Sequence, residues 1–245
     1  MKRILLIALA MLTMSCEKDA AVEPIVEINL EPVSSGQIVR HTYYSLAYSE
    51  ENEQASWVYY QLSSEDLNGT QSRTDDFRAD PAISTGSSSL NDFKSSGYDR
   101  GHLCPAADMT RNKTAMTESF FLSNMSPQTP GFNRGIWSVA EDQVREWTLK
   151  YQKLYVVTGP VFQNNIGTIG LNEVTIPGYY FKIIFDGKDH MIGLILPHAT
   201  STKSLDQFVV SIDQIEQQTG IDFFKGLDDQ LEKNLEGRVS TSGWF

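Results

Sequence analysis

Two β-hairpins are predicted by the spacing of hydrophobic and polar residues along the chain. In each, two segments rich in aromatic and β-branched residues flank a short polar break, which is the pattern of strands joined by a turn. These segments are residues 41–48 and 54–62, around the break at 50–53, and residues 179–185 and 190–196, around Asp186-Gly187-Lys188-Asp189. A continuous apolar run at residues 154–158 predicts a further strand.

Helical periodicity marks three other segments. Residues 202–218, with Thr202 as N-cap and Gly220 beyond the end, place on one face Leu205, Phe208, Val209, Ile212 and Ile215. Residues 134–150 form a second predicted helix, with Asn133 as its N-cap. A short third helix is predicted at residues 227–235. The predicted fold class is therefore α+β, with an antiparallel-rich central sheet and flanking helices.

The N-terminal residues are typical of an export signal. Two basic residues precede an apolar run, residues 4–14, that is too short to span a bilayer. Ser15 before Cys16 is similar to a bacterial lipobox, in which the cysteine is lipidated after cleavage. We expect a signal peptide at 1–15 and an exported lipoprotein anchored to the cell envelope through Cys16. Plain secretion is the alternative.

Two further segments complete the predicted organisation. Residues 16–36 are acidic and aperiodic, which predicts a flexible tether. Residues 37–245 form the predicted folded domain. With Cys16 lipidated, Cys104 has no partner for a disulfide, and we expect it to be a small buried hydrophobe. A zinc site of Cys104 and His102 is the less favoured alternative, since no second ligand pair is present.

The charge of the chain limits what it can bind. The formal net charge is −11, but residues 73–150 hold 9 Lys and Arg against 10 Asp and Glu, so most of the acidity lies elsewhere. This is not the composition of a basic surface that coats nucleic acid. Any polyanion must be held by a few arginines and a metal ion.

The candidate chemistry lies in two stretches. Asp99-Arg100-Gly101-His102 supplies a base and a guanidinium group two residues apart. The helix predicted after Asn133 carries Glu141 and Arg145 in a stripe beside its apolar face. An imidazole, an amide, a carboxylate and guanidinium groups together suit the cleavage of a phosphodiester with a hydrated divalent cation.

Each of these residues also has a purely structural interpretation. Glu141 and Arg145 can be an i,i+4 pair on the helix surface, and Asn133 can be only a cap. The other three histidines, which are His41, His190 and His198, sit in or beside predicted strands and are interpreted as structural. His102 differs because Gly, Asp and Arg surround it, and Gly101 allows close approach of a ligand to the backbone.

The chain resembles the DNA/RNA non-specific endonucleases, the ββα-metal group, over about residues 40–220. The match covers six spaced blocks in family order, which makes it specific. They are Arg73 with Asp76-Phe77-Arg78 and Asp80; Tyr98-Asp99-Arg100-Gly101-His102-Leu103; residues 120–128; Asn133 with Trp137, Glu141, Asp142 and Arg145; residues 155–160; and Ile176-Pro177 with Tyr180-Phe181-Lys182. The departures are small: Cys104-Pro105 replaces small residues, and Arg134 follows Asn133.

The resemblance implies a role for each site residue. His102 would be the general base, and Asn133 the sole direct protein ligand of a Mg²⁺ ion, with Mn²⁺ as a possible substitute. Glu141 would hold metal-bound water, and Asn124 would position the base or the water shell of the ion. The residues expected to contact phosphate are Arg73, Arg100 and Arg145, with Arg78 as a neighbouring alternative to Arg73. DNA and RNA are the expected substrates, and a homodimer is possible.

These residue types fit the reaction. Neutral His102 can accept a proton from water near pH 7, and arginine forks match phosphate geometry. Asn133 is uncharged, so we expect the metal to be held loosely until a substrate phosphate completes the site. Contacts to phosphate and sugar carry little sequence information, which predicts low sequence preference. The alternatives are a phosphodiesterase with a narrower nucleotide substrate, a non-catalytic polyanion-binding lipoprotein and a structural lipoprotein.

Overall fold

The computed structural model describes residues 29–245. The predicted signal peptide (1–15), Cys16 and most of the predicted tether (16–36) lie outside the described residues. The end of that tether is packed on the domain: Leu30 is buried in the core, and Val33 forms a backbone bridge with Asp222. The folded part therefore begins before residue 37, because these two apolar residues find partners on the domain.

Runs of strands and single helices are interspersed along the chain. The strands are β1 (Gln37–Arg40), β2 (Tyr44–Ser49), β3 (Gln54–Ser63), β4 (Asp99–His102), β5 (Met125–Gln128), β6 (Lys153–Val161), β7 (Thr168–Ile169), β8 (Val174–Thr175), β9 (Tyr179–Phe185), β10 (Met191–Pro197) and β11 (Val209–Val210). The helices are α1 (Leu90–Phe93), α2 (Lys113–Glu118), α3 (Pro130–Phe132), α4 (Ser138–Tyr151), α5 (Ile212–Thr219) and α6 (Asp229–Glu236).

A seven-stranded antiparallel sheet forms the centre of the fold. Its strand order is β1-β2-β3-β6-β9-β10-β11, and every pairing in it is antiparallel. Both predicted hairpins are present, as β2–β3 and β9–β10, and the predicted run at 154–158 lies within β6. The prediction of an α+β fold with an antiparallel-rich sheet is confirmed.

The sheet buries both of its faces. Val58, Tyr60 and Leu62 of β3 point to one face, where they join a cluster with the apolar side of α4. Trp57 of the same strand points to the other face and packs in a cluster that also contains residues of α5 and α6. This alternation follows from the two-residue period of a strand. The candidate site and the C-terminal helices therefore lie on opposite sides of the sheet.

The helix predicted at residues 202–218 is only half present. Leu205–Phe208 is a 3₁₀ turn, Val209–Val210 pairs with β10 as β11, and α5 begins at Ile212. The N-cap is Ser211, whose side chain accepts from the Gln214 N–H, rather than Thr202. The prediction of one helix is wrong because two adjacent valines favour a strand on the sheet edge, and the serine after them starts a new helix.

The prediction of Asn133 as an N-cap is also wrong. Its backbone is helical, with φ −56° and ψ −50°, and the helical segment starts at α3 with Thr129 as N-cap and Pro130 in the first turn. Residues Asn133–Trp137 form a π-helical turn that leads into α4, and Gly135 within it is non-helical. Proline favours the first turn of a helix, so the start lies upstream of Asn133. Single π turns are frequent at functional sites.

Among residues 29–245, no helix is both long enough and apolar enough to cross a bilayer.

Candidate active site

β4, β5 and the helical segment that follows them form a compact ββα unit. β4 and β5 pair antiparallel, with His102 opposite Met125 and Gly101 opposite Ser126. The indole Nε1 of Trp137 donates to the backbone carbonyl of His102 at 3.1 Å, which fixes the helix against β4. The last residue of β4 and the first turns of the helix are thereby held beside each other.

Gly101 is required by the close approach of β5. A Cβ atom at this position would lie 2.2 Å from the side chain of Gln128 on β5. Gln128 is fully buried, so its side chain has little room to move away. The glycine of the Asp-Arg-Gly-His stretch is therefore explained by packing between the two strands, in addition to any ligand approach.

His102 is held as a neutral imidazole. Its ring packs edge-on against Phe120 at 5.0 Å and contacts Phe77 at 5.8 Å between ring centroids, and the residue is 9% exposed. Burial, together with the nearby charges of Arg73 and Arg100, lowers the pKa of His102 to about 3. In the part of the chain that the structure describes, its Nε2 has no hydrogen-bond partner. A neutral ring with an unused nitrogen is suited to accept a proton.

The amide of Asn133 is oriented by Asp99. Its Nδ2 donates to Asp99 Oδ2 at 2.9 Å, and Arg134 donates to both oxygens of the same carboxylate at 2.8 and 2.9 Å. Partial burial opposes ionisation of Asp99, but these hydrogen bonds outweigh it and lower the pKa of the carboxyl group below its ordinary value. Because Nδ2 is used, the Oδ1 atom of Asn133 is left as the group available to a cation.

A cavity of about 560 Å³ lies over this unit. Its wall includes four basic side chains, two acidic side chains, the candidate metal ligand and several aromatic rings. The lining residues are Arg73, Asp75, Phe77, Leu90, Asn91, Phe93, Lys94, Tyr98, Asp99, Arg100, Asn133 and Arg134. His102 is not part of the wall, but Phe77, which is, contacts its ring.

Two of the four cations in this cavity are uncompensated. Arg134 pairs with Asp99, and Arg73 pairs with Asp75 at 2.6 Å. Among residues 29–245, neither Lys94 nor Arg100 forms an ion pair, and the guanidinium of Arg100 lies 4.1 Å from the ring centroid of Phe77. Free cations that converge on a cavity provide a binding surface for an anion, and phosphate is the natural partner for an arginine fork.

Glu141 lies two turns along the helix from Asn133, next to a group of buried charges. Burial raises the pKa of Glu141 to about 7, against the lowering effect of Lys182, whose ammonium lies 4.0 Å from the ring centroid of Trp137. Glu141 forms no ion pair with Arg145 in the described part of the chain, so the alternative of an i,i+4 surface pair is not observed. Glu141 is not among the residues that line the cavity, and its charged neighbours are Lys182, Asp108, Arg145 and Asp142.

Two of the predicted phosphate-contacting arginines, Arg78 and Arg145, do not line the cavity. Arg145 donates to the buried Asp108 at 2.7 Å and also bonds Asp142. Arg78 donates to the Thr117 carbonyl at 2.9 Å and stacks over Phe121. These contacts are structural, and they leave Arg73 and Arg100 as the arginines that both line the cavity and stand as predicted phosphate contacts.

Asn124 has a positioning role in this geometry. It is fully buried, its Oδ1 accepts from the Cys104 N–H at 2.9 Å, and its Nδ2 donates to the carbonyls of Cys104 and Ser119 at 2.9 and 2.8 Å. The amide clamps the chain just after His102. Because both of its donors are used, this arrangement favours positioning of the base over contact with the water shell of an ion.

The predictions for the remaining histidines and for Cys104 agree with the structure. His41 bonds Asp80 at 3.0 Å, and His198 accepts from the Thr129 N–H at 2.7 Å, so both support loops around the unit. His190 contacts Asp186 in the turn between β9 and β10. Cys104 is fully buried in the apolar core, and no metal-binding group of three or more residues in the described chain includes it.

The sequence alone indicates no separate role for Asp99, Phe77 or Lys94. Asp99 could have been suspected from its place in the Asp-Arg-Gly-His stretch, but its bond to Asn133 joins residues 34 positions apart. Phe77 and Lys94 reach the cavity from loops and carry no periodic signal. Their proximity is a tertiary property.

Comparison with known proteins agrees with this geometry. The chain is 34% identical over 218 residues to Nuclease C1 of Cunninghamella echinulata var. echinulata, a match that covers 81% of this chain and 86% of that protein. It is also 34% identical to human mitochondrial endonuclease G over 198 residues, which covers 74% and 67% of the two chains. The EndoG chain in the crystal structure of the EndoG/EndoGI complex superposes with a TM-score of 0.75 at 29% identity, over 81% of this chain and 89% of that one.

The match to the family itself extends over most of the chain. The profile of the DNA/RNA non-specific endonucleases matches residues 24–230, which include the whole ββα unit and the central sheet. The order of the site residues along the chain, the ββα geometry and these similarities agree. This chain belongs to the DNA/RNA non-specific endonuclease family.

Proposed function

We propose that the chain is a Mg²⁺-dependent endonuclease that hydrolyses phosphodiester bonds of DNA and RNA with little sequence preference. The observation that carries this proposal is the pairing of a neutral His102, with a free Nε2, and a cationic cavity in which the Oδ1 atom of Asn133 is left for a cation. Family membership supports the nuclease activity.

The donor set fits a hard divalent cation. Asn133 offers a neutral oxygen, Glu141 offers a carboxylate for water of the ion, and both are oxygen donors of the kind that Mg²⁺ prefers. A bound Mg²⁺ ion would stabilise the charge that develops on the phosphate and the leaving oxygen. Only one neutral side chain would contact the ion directly, so affinity should be low without substrate.

The chain's own residues supply the other parts of the reaction. Arg100 and Arg73 bind the phosphate, and Lys94 extends the positive surface along the bound nucleic-acid strand. His102 accepts the proton from the attacking water and can later return a proton to solvent. Phe77 and Phe120 keep its ring desolvated, which preserves the neutral form. None of these contacts reads a base edge, and this supports low sequence preference.

A digestion experiment tests the proposed function. Plasmid DNA and an unrelated RNA are incubated with the protein in Mg²⁺, in Mn²⁺ and in EDTA. We expect degradation of both nucleic acids in either metal and none in EDTA, with a loss of about 10²–10⁴-fold in His102→Ala. His190→Ala, a histidine remote from the ββα unit, is the matched control. Intact nucleic acid in Mg²⁺, or full activity of His102→Ala, would contradict the proposal.

The same experiment separates the rival functions. Cleavage of small nucleotide esters with intact polymers would indicate a narrower phosphodiesterase. Retention of nucleic acid without cleavage would indicate a polyanion-binding protein. Cleavage of a mixed oligonucleotide pool at a single motif would contradict the predicted low sequence preference.

We further propose that the chain is an exported lipoprotein attached to the envelope through Cys16. The support is the basic start, the short apolar run and the Ser15-Cys16 junction. Cys16→Ser should move the protein from the membrane fraction to the soluble fraction of the exported material. Equal membrane association of this variant would contradict the anchor. A homodimer stays a prediction, which sedimentation of the purified protein would check.

A further inference from the structure

A second cluster of acidic side chains lies on the face of the sheet opposite the ββα unit. Asp213 and Glu216 are on α5, and Glu236 is the last residue of α6. One oxygen from each of the three carboxylates lies within 4.8 Å of the other two. The three groups join the two C-terminal helices at a single point.

Glu236 is the unusual member of this cluster. It is 4% exposed, its Oε1 is fully buried, and neither of its oxygens has a hydrogen-bond partner among the described residues. A carboxylate at the C-terminal end of a helix also faces the negative end of the helix dipole. An unpaired buried carboxylate in this position is costly unless a cation or a proton compensates it.

No protein cation compensates the cluster. Within residues 29–245, none of its three carboxylates forms an ion pair with Lys, Arg or His, and Lys225 pairs with Asp222 instead. Burial, followed by the charges of Glu216, Glu232, Asp213 and Asp222, raises the pKa of Glu236 to about 9. The charges that act most strongly on Glu236 are therefore negative.

The other carboxylates are arranged to share a ligand. Glu216 uses Oε1 to accept the Phe223 N–H at 2.9 Å, which orients its side chain and leaves its second oxygen free. Gly237 brings the backbone near Asp213, since a Cβ atom there would lie 3.4 Å from Asp213 Oδ2. Opposite oxygen ligands of a Ca²⁺ ion are about 5 Å apart, which accommodates the observed spacing.

A second acidic group provides a contrast. Asp186, Asp189 and His190 also lie close together, in the turn between β9 and β10. There the imidazole contacts both carboxylates, at 2.8 and 2.9 Å, so the group satisfies itself. The cluster on α5 and α6 contains no such internal partner.

We infer that Asp213, Glu216 and Glu236 bind a Ca²⁺ ion that joins α6 to α5. The ion would neutralise the buried carboxylate and would stabilise the C-terminal helix, whose Leu235 lies in the same apolar cluster as Ile212 and Ile215 of α5. The site is independent of the ββα unit, and it does not depend on the proposed nuclease function.

Hydrogen–deuterium exchange of the full chain tests this site. Exchange in α6 (Asp229–Glu236) is compared in EDTA and in Ca²⁺. Some amides of α6 exchange only when the helix is released from the domain. At a free Ca²⁺ concentration of about ten times Kd, these amides should exchange about tenfold more slowly. Glu236→Gln keeps the shape of the side chain and removes its charge, so the Ca²⁺ effect should disappear. Asp213→Asn, at an exposed position, should weaken it and carries the test if Glu236→Gln does not fold.

Asp229→Asn is the matched control, because it removes one negative charge from the same helix outside the cluster. Its Ca²⁺ effect should equal that of the wild type. Unchanged exchange of α6 in wild-type protein with Ca²⁺ would overturn the inference and would mean that the cluster holds a proton instead. Equal protection by Ca²⁺ in Glu236→Gln would also overturn it, since the ion would then act elsewhere.

Discussion

The side chain of His102 is surrounded by two phenylalanine rings and is close to two guanidinium groups. Both surroundings disfavour the imidazolium form, and the resulting neutral ring can act as a base at low pH. Glu141 shows the opposite shift, since burial raises its pKa to about 7. As the pH rises, His102 therefore loses its proton before Glu141 does, which is the reverse of the ordinary order for a histidine and a glutamate.

This reversed order of titration predicts how kcat/KM depends on pH. His102, with a pKa of about 3, remains neutral throughout the range in which the protein is assayed. Glu141, with a pKa of about 7, loses its negative charge as the pH falls below neutrality. At limiting Mg²⁺, kcat/KM should fall about tenfold per unit below pH 7. Added Mg²⁺ should move this limb to lower pH, because the cation stabilises the carboxylate.

Glu141→Gln is the informative variant for this prediction. In this variant, the residual kcat/KM should no longer fall as the pH drops below 7. A limb that persists near pH 6.5 in Glu141→Gln and is unaffected by Mg²⁺ would assign the titration to His102 and would contradict its neutral state.

Asp99 is predicted to act on the metal through Asn133. Asp99→Ala removes the acceptor that holds Nδ2, so the amide can rotate and its Oδ1 is less well placed. Loss of such a supporting contact typically weakens metal binding by about 10–100-fold. The Mg²⁺ concentration for half-maximal cleavage should rise accordingly, and excess Mg²⁺ should restore the rate. Arg134→Ala keeps the Asn133–Asp99 bond and should shift the curve much less. Equal shifts in the two variants would contradict this role.

At the scale of elements, the ββα unit depends on the tight pairing of β4 with β5 and on the π turn that follows. Gly101 allows the first, and Trp137 ties the second to β4. Asn133 belongs to a π turn preceded by Pro130 and Thr129, rather than to a regular helix start. The position of Asn133, the proposed metal ligand, is thus set by the irregular part of the helix.

Gly101→Ala tests the packing of this unit. Its new methyl group would overlap the buried Gln128 side chain, so we expect a loss of about 1–3 kcal/mol in the free energy of unfolding. The amide of Gln128 has no hydrogen-bond partner in the described chain, so shortening it in Gln128→Ala removes the overlap without removing a bond. The double variant should regain much of the stability in urea denaturation. A double variant no more stable than Gly101→Ala would contradict the packing argument.

The elements differ in how well the sequence predicts them. The hairpins β2–β3 and β9–β10 follow from local alternation and polar turns, and the sequence places them correctly. The segment at 202–218 has helical periodicity, but the pairing of Val209–Val210 with β10 overrides it. Asn133 has a high intrinsic cap propensity, yet Thr129 and Pro130 start the helix earlier.

The site residues also differ in how well the sequence predicts them. The sequence indicates His102, Asn133, Glu141 and Arg100, because their types and order match a known pattern. It does not indicate that Arg145 is engaged by Asp108, since this contact joins residues 37 positions apart. Contacts of this range depend on the fold and have no local signature in a single sequence.

At the scale of the whole molecule, the charge distribution shapes how substrates arrive. The net charge of −11 repels nucleic acid at long range, while Lys94, Arg100 and Arg73 line the cavity. Attraction is therefore confined to the site, and the rest of the surface contributes little to affinity. This differs from nucleic-acid-binding proteins that use a broad basic surface.

The salt dependence of cleavage tests this distribution. Each phosphate contact on duplex DNA contributes a slope of about −0.9 to a plot of log affinity against log salt concentration. Two or three contacts predict a slope of roughly −2 to −3 for kcat/KM at constant Mg²⁺. Arg100→Ala should reduce the slope by about one unit. A slope of about −6 or steeper would contradict a few-contact site and would indicate an extended basic surface.

The most direct test of the account is a Mg²⁺ titration of single-turnover DNA cleavage in wild-type protein, Asn133→Ala and His102→Ala. Asn133→Ala should need far more Mg²⁺ to reach its maximal rate, because the direct ligand is lost. His102→Ala should keep the Mg²⁺ midpoint and lose about 10²–10⁴-fold in the rate at saturating Mg²⁺, because only the base is lost. If both variants changed the midpoint and the maximal rate alike, or if neither changed, the division of base and metal ligand between His102 and Asn133 would be contradicted.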